Sequence, residues 1–182
     1  MTYRNVVSAV VRALAAETIT SVGGCDFEPK VQCAKQKGEI VGKEAAFLVD
    51  CMVFSRLRKG LAPVHWLALL AQYSTHTERK HDAIVVIAKS IKSPAPERFR
   101  HAAVVTWAMP KLPGQEGKRS TNVLPGGWYC MDNWLDEPTA ERTQYRWKSA
   151  ICKQLKGMVD AALAEAQGIL DAEGLIESEI AA

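Results

Sequence analysis

Arg142, Tyr145, Arg146, Ser149 and Lys153 carry the most suggestive spacing in the chain. At 100° per residue they fall within about a 100° arc of one helix face. Arg142 and Arg146 lie four residues apart and project about 6 Å from each other along the axis, which suits neighbouring base pairs. A guanidinium can address the O6 and N7 atoms of guanine together, while Ser, Lys and Tyr hold phosphate oxygens. The chemistry this specifies is recognition of double-stranded DNA. A second cationic group comprises Arg79 and Lys80 beside His81, and Arg98 and Arg100 beside His101. These offer phosphate contacts, and Arg79 and Lys80 stand at a helix start, where the macrodipole disfavours cations. The bland alternative for both groups is a solvated helix face.

Enzyme chemistry is poorly represented. The chain contains no GxxxxGK[ST], HExxH or GxSxG motif and no dinucleotide-binding fingerprint. Its five cysteines, Cys25, Cys33, Cys51, Cys130 and Cys152, form no CxxC pair, so neither a zinc knuckle nor a disulfide framework is expected. Cys51 lies in an apolar run and reads as a small buried hydrophobe. Cys130 could pair with one of four histidines, but so scattered a set produces such pairs by chance. Asp132, Asp136 and Glu137 cluster before a helix, where carboxylates act as caps. No catalytic residue, metal or cofactor is expected.

The elements that must position the cations read as helices. Val6, Val7, Val10, Val11 and Leu14 mark a first helix over 3–16, and Phe47, Leu48, Cys51, Met52 and Phe54 a second over 36–59. Pro63 opens a third, with Trp66, Leu67, Leu70 and Tyr73 on its apolar stripe. Thr75 and Glu78 form a capping box before Ile84, Ile87, Ala88 and Ile91 in a fourth. Phe99, Ala103 and Trp107 mark a fifth, ended by Pro110. A last, long helix starts near Glu137. Its apolar stripe is Trp147, Ile151, Leu155, Met158, Ala162, Ala166 and Ile169, opposite the cations. Gly157 and Gly168 are candidate bends. The expected fold is all-α, with six or seven helices, little or no sheet, and a helix-turn-helix formed by Trp128–Leu135, a turn at Asp136-Glu137-Pro138, and the last helix. Three segments follow: a helical core over 1–110, a Gly- and Pro-rich basic loop over 111–127, and a C-terminal binding segment over 128–182.

Charge is unevenly spread. The net charge is +3, yet residues 56–101 carry nine Lys and Arg against three Asp and Glu, and residues 157–182 carry six acids and no Lys or Arg. A basic body can follow phosphates, while an acidic end must face something else. Hydrophobic residues make up 48% of the chain, enough for a folded core. No apolar run reaches the ~18 residues of a membrane span, and the first residues lack a secretory pattern. A cytoplasmic protein that does not enter membranes is expected.

Two stretches resemble a known family. Thr143-Gln-Tyr-Arg-Trp-Lys-Ser-Ala-Ile-Cys-Lys-Gln-Leu, continuing to Val159-Asp-Ala-Ala-Leu and Ile169-Leu-Asp-Ala-Glu-Gly-Leu-Ile, is similar to the C-terminal part of late-gene antitermination (Q-like) proteins of bacteriophages and prophages. Val49-Asp-Cys-Met-Val-Phe-Ser-Arg-Leu and Trp66-Leu-Ala-Leu-Leu-Ala-Gln-Tyr-Ser resemble the same group. The cysteine zinc motif of some members is missing here, so the resemblance is to zinc-free members. It implies binding to promoter-proximal DNA, engagement of paused bacterial RNA polymerase with or without its sigma factor, and narrowing of the RNA exit path so that terminator hairpins fail. Lys111, Lys118 and Arg119 would then contact polymerase or RNA. The competing expectation, from the acidic end and the lack of catalytic motifs, is a small phage-type protein that binds and inhibits a host protein without touching DNA.

Overall fold

The computed structural model describes residues 3–22, 43–111 and 124–176. The protein is all-helical. The described residues form α1 (Val6–Val22), α2 (Lys43–Gly60), α3 (Pro63–Tyr73), α4 (Thr77–Ser90), α5 (Glu97–Ala108) and α6 (Glu141–Ala172), with short 3-10 helices at Gly126–Tyr129 and Met131–Trp134. Among these residues the only β pairing is an isolated bridge between Tyr3 and Ile176. No described helix is long and apolar enough to cross a membrane. The chain divides into two compact units interleaved in sequence. One comprises residues 1–61, 73–76 and 163–182, and the other 62–72 and 77–162.

The first unit holds α1, α2 and the last turns of α6. Asn5 caps α1, its Oδ1 accepting from the Ser8 N–H at 2.8 Å while the Ser8 Oγ accepts from the Asn5 N–H at 3.3 Å; this satisfies otherwise unpaired donors of the first turn. Ala9, Val10, Ala13 and Leu14 of α1 and Val53 and Leu57 of α2 are buried. A polar cluster crosses this apolar core. The Tyr3 hydroxyl donates to Asp50 Oδ1 at 2.6 Å, and Arg12 pairs with Asp50 Oδ2 at 3.0 Å. Arg58 and Lys59 sit in the last turn of α2, where the helix dipole favours them. At Gly60 an added Cβ would lie 2.8 Å from the Ile169 methyl end. The close approach of α6 there requires a missing side chain or a shifted Ile169. A Schellman turn closes α6: Gly174, at φ +64°, donates to Asp171, and Leu175 donates to Leu170. The Leu175 carbonyl then accepts the Tyr3 N–H at 2.7 Å.

The second unit is built on α4, α5 and the first two-thirds of α6. Ile84, Ile87 and Ile91, then Phe99, Ala102, Ala103, Val104, Val105 and Ala108, and Ile151, Leu155 and Val159 supply its buried side chains. The Gln154 amide donates to the Lys92 carbonyl at 2.8 Å, tying α6 to the α4–α5 connection.

Several expected boundaries move. α1 runs on to Val22, and α2 is described only from Lys43. α4 opens at Thr77, one residue later than a Thr75 cap requires, and the Ser74 Oγ accepts from the His76 N–H at 3.1 Å. Residues 128–135 form single 3-10 turns and α6 opens at Glu141, not near Glu137. Gly157 and Gly168 do not interrupt α6. The buried stripe of α6 rotates slightly from the expected one: Gln144, Val159 and Leu170 are buried, while Trp147, Met158 and Ile169 are half-buried.

Burial, then the hydrogen bond and charge of Asp50, push the Tyr3 phenol well above its ordinary range. The folded state therefore favours the protonated phenol. Its contribution is fully present below the unfolded tyrosine pKa of ~10 and falls as pH rises beyond it. Tyr3→Phe should cost about 1–3 kcal/mol at neutral pH and should remove part of the alkaline loss of stability, as read by denaturant midpoints between neutral and strongly alkaline pH. An unchanged alkaline profile would contradict this.

Candidate nucleic-acid interface

The first half of α6 has two chemically separate faces because its apolar residues recur at helical spacing. Ile151 and Leu155 are fully buried. Arg142, Tyr145, Arg146, Ser149 and Lys153 are all exposed on the other side, Tyr145 at 55%. Lys156 extends this face by one more turn and is exposed, so the row from Arg142 to Lys156 is ~21 Å long. None of Arg142, Arg146, Lys153 and Lys156 has an ion-pair partner among the described residues.

Their placement runs against the helix itself. Arg142 and Arg146 sit near the positive end of α6, and its last turn holds Asp171 but no basic residue. At Arg142, in the first turn, such a charge costs about 0.3–1 kcal/mol in helix stability when surface-exposed; at Arg146, in the second, the effect has largely decayed. The unit containing this face, residues 62–72 and 77–162, carries fourteen Lys and Arg against nine Asp and Glu, a net +5; the other unit carries nine against eleven, −2.

The second cationic group does not present itself as one free patch. Lys80 reaches the Gln72 carbonyl with Nζ at 3.5 Å, and burial lowers its pKa. Arg100 is half-buried and donates to the Ile91 carbonyl at 3.2 Å. Arg98 pairs with Asp136 and also donates to the Asn133 carbonyl at 3.3 Å. Arg79, in the first turn of α4, is exposed and engaged within the protein. Lys111 is exposed, whereas Lys118 and Arg119 lie outside the described residues.

Sequence reasoning missed Lys148. Its Nζ lies 5.2 Å from the centre of the Trp134 ring, a cation–π distance. It also missed a cavity of about 340 Å³ lined by Arg98, Ala102, Gly127, Trp128, Asn133 and Trp134. The available signal was the pair of tryptophans flanking a short turn after Gly126-Gly127, a stretch whose sequence reads as the first element of a helix-turn-helix. Both features rest on Phe99. This ring is fully buried and meets Trp134 edge-on at 5.1 Å and Trp147 at 5.6 Å.

Burial pushes the Cys51 and Cys152 thiols up, away from the thiolate. Among the described residues no group of three or more His, Cys, Asp or Glu side chains is arranged to hold a metal. Comparison of the chain with protein-family models, curated proteins and solved structures found no match.

Phe99→Ala should destabilise the protein by about 3–5 kcal/mol, because it removes the ring against which both tryptophans pack. Chemical denaturation checks this; a loss below about 1 kcal/mol, typical of surface sites, would mean that Phe99 does not hold the two elements.

Proposed function

We propose that this is a nucleic-acid-binding protein whose first α6 turns enter the major groove of double-stranded DNA, acting as a phage-type transcription antitermination factor. The observation that carries the DNA reading is the row of four exposed, unpaired cations on α6, turned outward by a buried apolar stripe on the opposite face. Four like charges kept on one helix face without ion-pair partners are best explained by a polyanionic partner. Arg142 and Arg146 would address base edges, and Tyr145, Ser149, Lys153 and Lys156 the phosphates.

The sequence resemblance adds the setting: promoter-proximal DNA, a paused bacterial RNA polymerase, and read-through of downstream terminators. The surface for polymerase would lie elsewhere. In the first unit Val7 and Val11 of α1, and Leu48 and Met52 of α2, are exposed large apolar residues at i, i+4 spacing. The same residues favour a second reading, a protein that binds and inhibits a host protein without contacting DNA. Read-through in a purified transcription system tests the antitermination role directly.

In binding isotherms on the specific site, Arg146→Ala should cost about 1–3 kcal/mol and relax sequence preference. Lys153→Ala should weaken all sequences alike and flatten the dependence of log K on log salt by about one unit. Both variants should keep wild-type circular dichroism, since both side chains are exposed. Unchanged affinity for Arg142→Ala and Arg146→Ala with the fold intact would remove α6 from the interface.

A further inference from the structure

We propose that the cavity between α5 and the two 3-10 helices receives one unpaired nucleobase of a single-stranded nucleic acid. The inference rests on the nucleic-acid reading above and adds a substrate class to it. At about 340 Å³ the cavity is near the small end of ligand sites. It suits a single planar ring system, with the sugar and phosphates left outside.

Two of its lining residues are tryptophans. Trp134 is 2% exposed and its indole N–H donates to the Trp128 carbonyl at 2.8 Å. Trp128 is 38% exposed, so its indole offers an accessible face. The Trp128 N–H donates to the Pro125 carbonyl at 3.0 Å, which fixes the backbone that carries that ring. The backbone under that ring therefore needs no further ordering when a base stacks there. The Arg98 guanidinium, a second planar stacking surface, is held by Asp136 and the Asn133 carbonyl. Gly127 supplies no side chain, and its carbonyl accepts from the Asn133 amide at 2.9 Å. Asn133 Oδ1 and the Trp128 indole N–H have no partner among the described residues. Asn133 Oδ1 offers an acceptor to a base edge, whereas the indole N–H, in the plane of its own ring, does not reach a base stacked on that ring.

Charge selects a nucleic acid over an aromatic side chain of a protein. The Lys148 ammonium lies beside Trp134. Tyr145, three residues earlier on α6, is exposed, and residues at that spacing are neighbours on a helix surface. Cations interleaved with exposed aromatic rings are the recurrent pattern of single-strand binding. A neutral aromatic peptide would need no such cations.

The test is a tryptophan-fluorescence titration of the full chain with a short oligothymidylate, a duplex, and N-acetylphenylalaninamide, an aromatic side-chain analogue that does not itself emit in the tryptophan range. Oligothymidylate should quench and saturate. Trp128→Ala should weaken it about 5- to 150-fold, the equivalent of ~1–3 kcal/mol for one stacked base, and Trp128→Phe should recover most of the loss. Duplex affinity should stay within about twofold, as for independent sites. Single-strand affinity unchanged in a folded Trp128→Ala, or equal losses on both nucleic acids, would overturn the proposal. So would quenching by the amide without quenching by the oligonucleotide. Trp128-dependent single-strand binding without duplex binding would support the cavity and overturn the groove reading. Binding of neither nucleic acid would overturn both.

Discussion

Phe99 is the contact on which the geometry of the second unit depends. It is a fully buried ring on α5 that meets Trp134 and Trp147 edge-on at the same time. Edge-to-face pairs add a directional preference to area burial, so Phe99 fixes where two otherwise separate segments sit. One is the short 3-10 turn that carries Trp134, and with it the aromatic cavity. The other is the first part of α6, whose opposite face bears Arg142, Arg146, Lys153 and Lys156. Lys148 joins the two by lying over Trp134. A cationic helix face and an aromatic cavity are thus positioned by one apolar cluster.

The electrostatics of α6 separate function from folding. A helix selected for stability alone would carry acids in its first turn and cations in its last. α6 begins with Glu141, but Arg142 and Arg146 follow at once, and its last turn is acidic. Its hold comes from elsewhere. Ile151, Leu155, Val159, Ala162, Ala166 and Leu170 are buried along its length, and Gln144 and Gln154 bond to backbone carbonyls at 3.0 and 2.8 Å. Packing of that extent tolerates an adverse charge pattern, which leaves the exposed row available for a polyanion.

The sequence made the helices legible because their apolar residues repeat at strict spacing and Pro or Gly punctuates their ends: Pro63 opens α3 and Pro96 precedes α5. The two faces of α6 were legible for the same reason, although Trp147 is less buried than its place on the stripe implies, while the polar Gln144 is fully packed. Contacts distant in sequence left no periodic trace. Tyr3 with Asp50, 47 residues apart, and Arg98 with Asp136, 38 apart, follow from tertiary packing alone. For that reason Lys80, Arg98 and Arg100 looked like free phosphate ligands in the sequence, whereas each is bonded within the protein. The region before α6 read as the first element of a helix-turn-helix because Trp128 to Leu135 precedes a turn at Asp136-Glu137-Pro138, yet the Gly126-Gly127 start gives only single 3-10 turns.

The central claim is that the cations of α6 meet phosphates. The most direct measurement is the affinity of the unmodified protein for a duplex across a range of salt concentrations. Each phosphate neutralised contributes about −0.9 to the slope of log K against log salt. With Lys153 and Lys156 on phosphates and Arg142 and Arg146 on base edges, the slope is about −2. A slope flatter than about −1, or no retention on DNA at low salt, would contradict the claim.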